Sequence, residues 1–498
     1  MSEPIPKRPA ALLVILLTGQ AMASMDTSIA AVAAPTIRAD LAGPPALAQL
    51  VLAGYTLAFA VLVVTGARLG SRHGPGRVFL LGLAGFTVTS LACGLAPGPG
   101  SLVAARVLQG ATAALLVPQV LTLIQARFSG AARTRAIGAY SMILALGVAA
   151  GQVAGGLLVT LDLGGLAWRA AFLVNVPVGV LLLALGRRVL AAPTDPRRRE
   201  ALDPPGVLLL STAMLALVVP LVLGRDLGWP GWSVPAVAAA GAAGLGLFLR
   251  YEDRLARRGG APLLDVTVLR LPGVATGLLA AATVMGCYAG FLFNLTLWLQ
   301  DGLRFSALAA GLAFLPYAAG FALCGLGVPR LPRRWRDVLP VAGPPVLAAV
   351  VLAVGALSRE GWPWPVAAAV LLVGGAAHAA AFSPLVARLA AVVPTGAAAA
   401  LSALVSTGTL LAAVLGVAVL GGLHLSRSPG TAGATTAALL LAGAVAAHRS
   451  RRASATLAAR PGGSPRQERV TAARQRPGAA AEAPSRRPGT ARTERSEA

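Results

Sequence analysis

Two charged side chains lie in or beside long apolar stretches of this sequence, where ionised groups are costly and usually functional. Asp26 interrupts the apolar run of residues 11–35, and Arg106 lies at the edge of the apolar run of residues 107–126. Loss of hydration drives a buried carboxylate towards its neutral form, whereas a nearby arginine favours the ionised form. An acid held between these two effects can gain or lose a proton when water access changes, which is the chemistry that couples proton movement to another process.

A second interpretation of Asp26 stays open, since an aspartate near a helix end can simply bond to the local backbone. The functional interpretation is favoured because Asp26 is the only acid within any of the membrane spans predicted below. Charged groups at membrane depth are rare unless they have a function.

Other polar side chains at membrane depth are candidates for the wall of a substrate cavity. His378 can titrate, but a hydrogen-bonded histidine inside a helix bundle is the favoured interpretation. Tyr55, Phe59 and Phe293 are aromatic residues that can contact an apolar substrate or face lipid. The polar cavity candidates are Gln109, Asn175, Asn294 and Thr296.

The composition places the chain in a membrane. Of its 498 residues, 56% are hydrophobic and only 12% are charged, and the mean hydropathy is +0.74. A soluble protein carries charges on about a quarter of its residues, so this chain has too little polar surface to dissolve. The net charge of +24 resides in short arginine clusters and a C-terminal tail. The positive-inside rule explains this pattern better than nucleic-acid binding does, and no nucleic-acid partner is expected.

Long stretches without charged residues predict fourteen membrane helices, since a helix needs about 20 apolar residues to cross the hydrocarbon core. With the N-terminus in the cytoplasm, the inner connections carry arginine clusters and the outer ones about one arginine each. Both termini are therefore predicted to be cytoplasmic. Besides the run around Asp26, the uncharged stretches are 41–67, 78–105, 107–126, 136–161, 170–186, 204–224, 227–249, 271–300, 305–329, 338–358, 361–387, 389–426 and 428–448.

Glycines and arginines crowd the connection between the second and third helices, which reads GARLGSRHGPGRVF (66–79). Gly66 and Gly74 permit a tight turn and close helix packing. Arg72 and Arg77 can bond helix ends or a neighbouring acid.

Glycine recurs at every fourth position of the fifth predicted helix. Gly147, Gly151 and Gly155 fall on one face, with Gly156 beside them. This pattern predicts a bare groove for close helix packing. Packing of this kind can shift, as a rocking mechanism requires.

Together these motifs resemble those of the major facilitator superfamily, in particular its fourteen-helix drug:proton antiporters. The resemblance covers about residues 11–450. The segments WRAAFLVNVPVG (168–179) and WLQDGLRFSALAAGLAFLP (298–316) also resemble family segments. The main motifs are the loop 66–77, the Arg-x-x-Gln-Gly element Arg106–Gly110, the helix-five element Gly147–Gly156 and the helix-one element Met25–Thr27.

The resemblance implies an all-α membrane protein with two pseudo-symmetric six-helix bundles and two additional helices between them. The similar loops ARLGSR (67–72) and PRLPRR (329–334) support two related halves. The expected parts are a cytoplasmic N-terminus (1–10), an N-terminal bundle (11–190), a linker with two extra membrane helices (191–270), a C-terminal bundle (271–448) and a disordered, arginine-rich cytoplasmic tail (449–498).

In the family fold, the first and fourth helices lie beside the central cavity. At about 1.5 Å per residue, the depths of Asp26 and Arg106 differ by only a few ångströms, so the two can share a polar pocket. The resemblance therefore implies that Asp26 is the proton-coupling acid and that Arg106 tunes it.

Two positions depart from the family pattern. Ser71 replaces the aspartate of the loop and removes an acid from its charge relay, while Gln152 replaces the proline of the helix-five element, which is tied to export. The leading prediction is proton-driven export of a hydrophobic or amphiphilic drug or antibiotic by alternating access. Two alternatives stay open: a carrier of the same fold for another metabolite or for uptake, and a membrane enzyme, which short outer loops without a His/Asp/Glu cluster disfavour.

The expected energy source is the proton gradient, with no cofactor, since the sequence has no Walker motif for ATP. Cys93, Cys287 and Cys324 lack metal-ligand spacing, so no metal site is expected. The expected partners are the lipid bilayer and a small hydrophobic molecule, and the chain is expected to be a monomer in a bacterial plasma membrane. The identity of the substrate does not follow, because specificity lies in the shape of the cavity.

Overall fold

A computed structural model describes residues 9–190, 203–224, 227–357, 361–394, 397–426 and 429–458. Within these ranges every regular element is helical. The described residues up to Ser454 form one compact unit. Of the second unit, only 455–458 fall in the described ranges.

Fourteen helices follow one another through the described ranges. Thirteen are long and apolar enough to cross a membrane, and α5 has a shorter apolar part at Ala150–Leu161. The predicted all-α membrane fold is therefore confirmed. The helices are α1 (Pro9–Asp40), α2 (Ala46–His73), α3 (Pro75–Gly94), α4 (Pro99–Arg127), α5 (Gly130–Leu161), α6 (Ala167–Val189), α7 (Pro204–Leu223), α8 (Ser233–Arg257), α9 (Val274–Gly302), α10 (Ala307–Arg330), α11 (Arg333–Leu357), α12 (Trp364–Val392), α13 (Ala398–Ser426) and α14 (Pro429–Ala458).

The first six helices pack through close crossings at glycine. α1 packs against α5, α2 against α4, and α3 against α4 and α6. A methyl group on Gly66 would lie 1.9 Å from the carbonyl oxygen of Ala114, and one on Gly110 would lie 2.1 Å from that of Tyr55. Glycine at these two positions therefore sets how closely α2 approaches α4.

The last six helices also pack through close crossings at glycine. α9 packs against α13, while α10 and α11 both pack against α12. A methyl group on Gly375 would lie 1.8 Å from the Tyr317 carbonyl oxygen, and one on Gly416 would lie 1.9 Å from that of Gly286. The remaining pair, α7 and α8, pack on each other, and α7 also touches α2 and α13.

The two six-helix sets meet where α2 contacts α13 and where α5 contacts α10. Polar contacts join them at the end of the bundle where α1 terminates in Asp40, here called the Asp40 end. Arg38 lies 3.1 Å from Asp301 in an ion pair. Gln300 Nε2 donates to the carbonyl oxygen of Val32 at 2.9 Å. These contacts hold the two sets together at the end that the predicted orientation places outside the cell.

One helix runs further than its apolar stretch. α8 extends to Arg257 instead of ending near residue 249, because charged side chains can continue a helix beyond the hydrocarbon layer. It thereby carries Glu252, which like Asp26 and Asp203 is a buried carboxylate. Glu252 Oε2 accepts a hydrogen bond from the backbone N–H of Leu264 at 2.8 Å.

The predicted tail begins later than expected, because α14 continues through residue 449 to Ala458. The rest of that tail, 459–498, lies outside the described residues. The same holds for residues 191–202 of the predicted linker. The division of the chain at those domain boundaries stays a prediction.

Candidate functional site

A hydrogen-bonded cluster surrounds the buried carboxylate of Asp26 in the middle of α1. Arg106 Nη1 lies 2.5 Å from Asp26 Oδ2. Gln109 Nε2 donates to Asp26 Oδ1 at 2.9 Å, and Asn175 Nδ2 donates to the same oxygen at 3.1 Å. Gln109 Nε2 also donates to Ser90 Oγ at 2.9 Å. These five residues are called the Asp26 cluster.

Four helices supply the cluster, and their spacing explains its geometry. Arg106 and Gln109 are three residues apart on α4 and therefore share a helix face. Gly110 removes a side chain from the crossing of α4 and α2, which lets Arg106 Nε reach the carbonyl oxygen of Val51 at 2.9 Å. Arg106 Nη1 also donates to Gln109 Oε1 at 2.6 Å. The guanidinium is thus held by a backbone oxygen and two side chains.

The centre of the cluster is an ion pair in an apolar environment. Burying charges costs several kcal/mol per ion unless the geometry is close and the remaining bonding sites are satisfied. Asp26 accepts from three side chains, and the Cζ of Arg106 lies 4.4 Å from the ring centre of Tyr55 and 5.5 Å from that of Phe172. Within the described residues, Arg106 Nη2 is a buried donor without an acceptor. Loss of the charge on Asp26 would therefore leave a buried cation with too few partners.

A cavity of about 420 Å³ lies between the two six-helix sets. Its volume falls in the range of about 300–1,000 Å³ that small-molecule sites occupy. α1, α2 and α4 supply one wall, and α9 and α13 supply the other. Tyr55 and Phe59 face Tyr288 and Phe293 across it, so aromatic rings line both walls.

The cavity and the Asp26 cluster use different faces of α1. Gln20 and Ser24 line the cavity one helical turn apart, whereas Asp26 points towards α4 and α6 and does not line it. Tyr55 belongs to both sites, because it lines the cavity and its ring contacts Arg106. A movement of α1 would therefore change the cluster and the cavity wall together.

None of the four polar residues predicted to line a substrate cavity lines the 420 Å³ cavity. Gln109 and Asn175 use their amides to bind Asp26. Asn294 lines a smaller cavity of about 60 Å³ and donates to a backbone oxygen of α13 at 3.1 Å. Thr296 is buried and donates to the backbone of its own helix at 2.9 Å. These four polar side chains lie at membrane depth because they form hydrogen bonds within the helix bundle, and not because they line the larger cavity.

The glycine face of α5 packs closely on α1. Methyl groups on Gly147, Gly151 and Gly155 would lie 2.8, 2.7 and 2.9 Å from atoms of α1. Gly156 faces α10 instead, where a methyl group would lie 2.6 Å from the carbonyl oxygen of Ala307. α5 therefore connects the helix that carries Asp26 to the seam between the two six-helix sets.

The connection from α2 to α3 is the single residue Gly74, whose φ of 94° favours glycine. Gly66 was predicted to lie in this connection and lies inside α2 instead, because the helix continues through the glycine- and arginine-rich segment. Arg72 and Arg77 are exposed on either side of the turn. Arg68 Nη1 donates to the carbonyl oxygen of Ala261 at 3.0 Å and thereby ties α2 to the segment after α8.

Sequence reasoning missed two residues of the site. Gln20 was not identified, although its spacing to Ser24 and Thr27 follows one helix face and could have marked a cavity wall. Ser90 binds Gln109 from α3, and no sequence signal distinguished it from other serines in apolar stretches.

His378 lies buried in α12 among aromatic rings. Its ring centre is 4.5 Å from that of Tyr288 and 4.9 Å from that of Phe321. Within the described residues neither ring nitrogen has a hydrogen-bond partner. This environment differs from the hydrogen-bonded histidine that was predicted.

Known proteins similar to this chain include antibiotic exporters. The profile of the Major Facilitator Superfamily matches residues 16–417. The chain is 41% identical over 315 residues to the "Probable actinorhodin transporter" of Streptomyces coelicolor, a match that covers 63% of this chain and 54% of that protein. It is 40% identical over 347 residues to the cephamycin export protein CmcT of Amycolatopsis lactamdurans, covering 69% of each. It is 35% identical over 345 residues to the puromycin resistance protein pur8 of Streptomyces alboniger, covering 68% and 66%. The match thus spans about half the length of the first of these relatives.

The fold is also similar to solved transporter structures. The structure of the POT family transporter PepTSo matches with a TM-score of 0.65, covering 89% of this chain and 98% of that one. At 15% sequence identity, this likeness shows the fold alone.

Proposed function

This chain belongs to the major facilitator superfamily, among its fourteen-helix drug:proton antiporters, and we propose that it exports a hydrophobic or amphiphilic antibiotic in exchange for protons. Its location is the plasma membrane of a bacterium. The similar proteins are named for actinorhodin transport, cephamycin export and puromycin resistance, which supports a substrate of antibiotic type.

The Asp26 cluster carries the proposal. Its carboxylate is buried and bonded to Arg106, and it lies on the same helix as one wall of the cavity. A transporter that exchanges substrate for protons needs an acid whose protonation changes the structure around the substrate. Asp26 meets this requirement through its position on α1.

Protonation of Asp26 would break the ion pair. Arg106 would still donate hydrogen bonds to the carbonyl oxygen of Val51 and the amide oxygen of Gln109, but it would no longer be paired with an anion. A buried cation that loses its counter-ion is destabilised by about 3–5 kcal/mol. Arg106 can recover part of this free energy if α1 and α4 shift and admit water or a new acceptor. We infer that this shift couples the proton to the opening of the cavity.

The shift can reach the seam between the two sets through α5. Gly147, Gly151 and Gly155 of α5 lie against α1 and carry no side chains that interlock with it. The next residue, Gly156, contacts α10. Movement of α1 would therefore change the contact that closes the Asp40 end, as alternating access requires.

The test is efflux from a drug-sensitive bacterial host that expresses the chain. Resistance to a panel of hydrophobic antibiotics should rise, and a protonophore should remove the gain. Asp26→Asn should abolish efflux while the protein still accumulates in the membrane. Asp40→Asn is the matched control. Asp40 lies at the end of the same helix with a 44% exposed side chain, and asparagine keeps an oxygen that can accept from Trp168 Nε1 and Arg169 Nη1.

Efflux by Asp26→Asn at the wild-type rate would contradict the role of the carboxylate. Export that persists with a protonophore would contradict proton coupling. Increased drug accumulation in cells that express the chain would show uptake and would favour the alternative direction.

A further inference from the structure

The wall of the 420 Å³ cavity contains no charged side chain among the described residues. Its polar groups are amide and hydroxyl groups, and all of them except Tyr288 belong to α1 and α2. An ion that entered this cavity would lose hydration without gaining a counter-ion, which is strongly unfavourable. The lining therefore favours uncharged molecules.

The carboxylate of Asp26 cannot serve as a counter-ion for a bound cation. It lies behind the cavity wall, and its two oxygens already accept from Arg106, Gln109 and Asn175. Arg106 occupies a face of the Tyr55 ring at 4.4 Å. Because Arg106 already uses this ring, the cation–π attraction that Tyr55 can offer to a cation on the cavity side is weakened.

Gln20 lines the cavity and has an unsatisfied hydrogen-bonding group. Its side chain is only 2% exposed, and its Nε2 donates to Ser24 Oγ at 3.0 Å. Its Oε1 is buried without a partner in the described structure. A buried acceptor left without a donor is costly. Rotation of the Gln20 amide would bring Oε1 to the cavity that this residue lines, where a ligand O–H or N–H group would remove that cost.

We propose that the cavity selects uncharged, ring-bearing molecules that donate a hydroxyl or amide N–H hydrogen bond to Gln20 Oε1. The rings of such a molecule would pack between Tyr55 and Phe59 on one wall and Tyr288 and Phe293 on the other. This inference rests on the proposed function, in which the cavity carries the exported molecule. It names Gln20 as the residue that determines specificity.

Three anthracene probes test the inference, because they share one ring system and differ in one group. They carry a hydroxymethyl, a methoxymethyl or a trimethylammoniomethyl substituent. Binding to the full chain in nanodiscs is measured by fluorescence anisotropy. The hydroxymethyl probe should bind about five-fold more tightly than the methoxymethyl probe, the value of one net hydrogen bond. The cationic probe should bind at least about ten-fold more weakly than the hydroxymethyl probe.

Substitutions at Gln20 test whether this residue causes the preference for the hydroxymethyl probe. Gln20→Met should remove the preference for the hydroxymethyl probe but keep the affinity for the methoxymethyl probe, which also shows that the variant is folded. Gln20→Glu should raise the affinity for the cationic probe about ten-fold. Gln125→Met and Gln125→Glu are the matched controls, since Gln125 is exposed near the end of α4 and should leave all three affinities unchanged.

Equal binding of the cationic and hydroxymethyl probes by the wild type would overturn the inference. A hydroxyl preference that survives in Gln20→Met would overturn the role of Gln20, and failure of all three probes to bind would contradict the assigned ligand class. A different result would contradict the proposed function. If the predicted binding pattern holds while expressing cells show no protonophore-sensitive efflux, the cavity assignment stands and the exporter assignment does not.

Discussion

Gly110→Ala should separate α4 from α2 and dismantle the Asp26 cluster. The added methyl group would lie 2.1 Å from the carbonyl oxygen of Tyr55, and ordinary contact begins at 3.4 Å, so the helices must move apart by about 1.3 Å. This oxygen belongs to the backbone, so it cannot rotate away as a side-chain atom could. Arg106, one turn before Gly110, would lose its 2.9 Å hydrogen bond to Val51. Overpacking of this kind lowers the free energy of unfolding by about 1–3 kcal/mol. The weakened ion pair with Asp26 lowers it further.

The assay compares melting temperature and efflux with those of Gly100→Ala. Gly100 lies at the beginning of the same helix with nothing within 4 Å of the added methyl group. Gly100→Ala should leave efflux unchanged. Gly110→Ala should melt at a lower temperature and lose efflux. If Gly110→Ala is as stable and as active as the wild type, the close crossing does not position Arg106 and the reasoning is refuted.

Two further predictions concern other buried contacts. Glu252→Ala removes the acceptor of the Leu264 N–H and should cost about 1–3 kcal/mol of stability, whereas Glu252→Gln keeps an acceptor and can donate towards the unpartnered Asp203 Oδ2. The glutamine variant should therefore melt at or above the wild-type temperature, and a melting temperature as low as that of the alanine variant would contradict this. Gly156→Ala should wedge α5 away from the α10 backbone and reduce efflux at least about ten-fold, whereas Gly408→Ala, whose added methyl group has nothing within 4 Å, should not. Equal efflux in the two variants would show that the α5–α10 seam is not part of the transport cycle.

The sequence predicted the helices well, because the cost of burying charge in a bilayer makes uncharged stretches visible. The ends of α8 and α14 were less accurate, since a helix can continue beyond the apolar stretch that identifies it. The turn at Gly74 was recognised, but Gly66 was assigned to it wrongly. A glycine that permits a helix crossing looks the same in sequence as one that permits a turn.

The candidate site was predictable in part. Asp26 and Arg106 could be placed at similar depth from the rise of a helix, and the structure brings them together. The sequence also marked Gln109 and Asn175 as polar at depth, but it could not show that they face Asp26 and not the cavity. Gln20 went unnoticed, although its spacing to Ser24 and Thr27 places three polar residues on one face of α1.

Proton movement driven by substrate tests the central claim most directly. The wild type, Asp26→Asn and Asp40→Asn are reconstituted into liposomes that contain a pH-sensitive dye, and a transported antibiotic is added outside without any imposed pH gradient. Wild type and Asp40→Asn should show a substrate-dependent change in internal pH, whereas Asp26→Asn should show none although it still binds the antibiotic. A proton flux of wild-type size in Asp26→Asn would contradict the assignment of this carboxylate as the group that couples protons to transport.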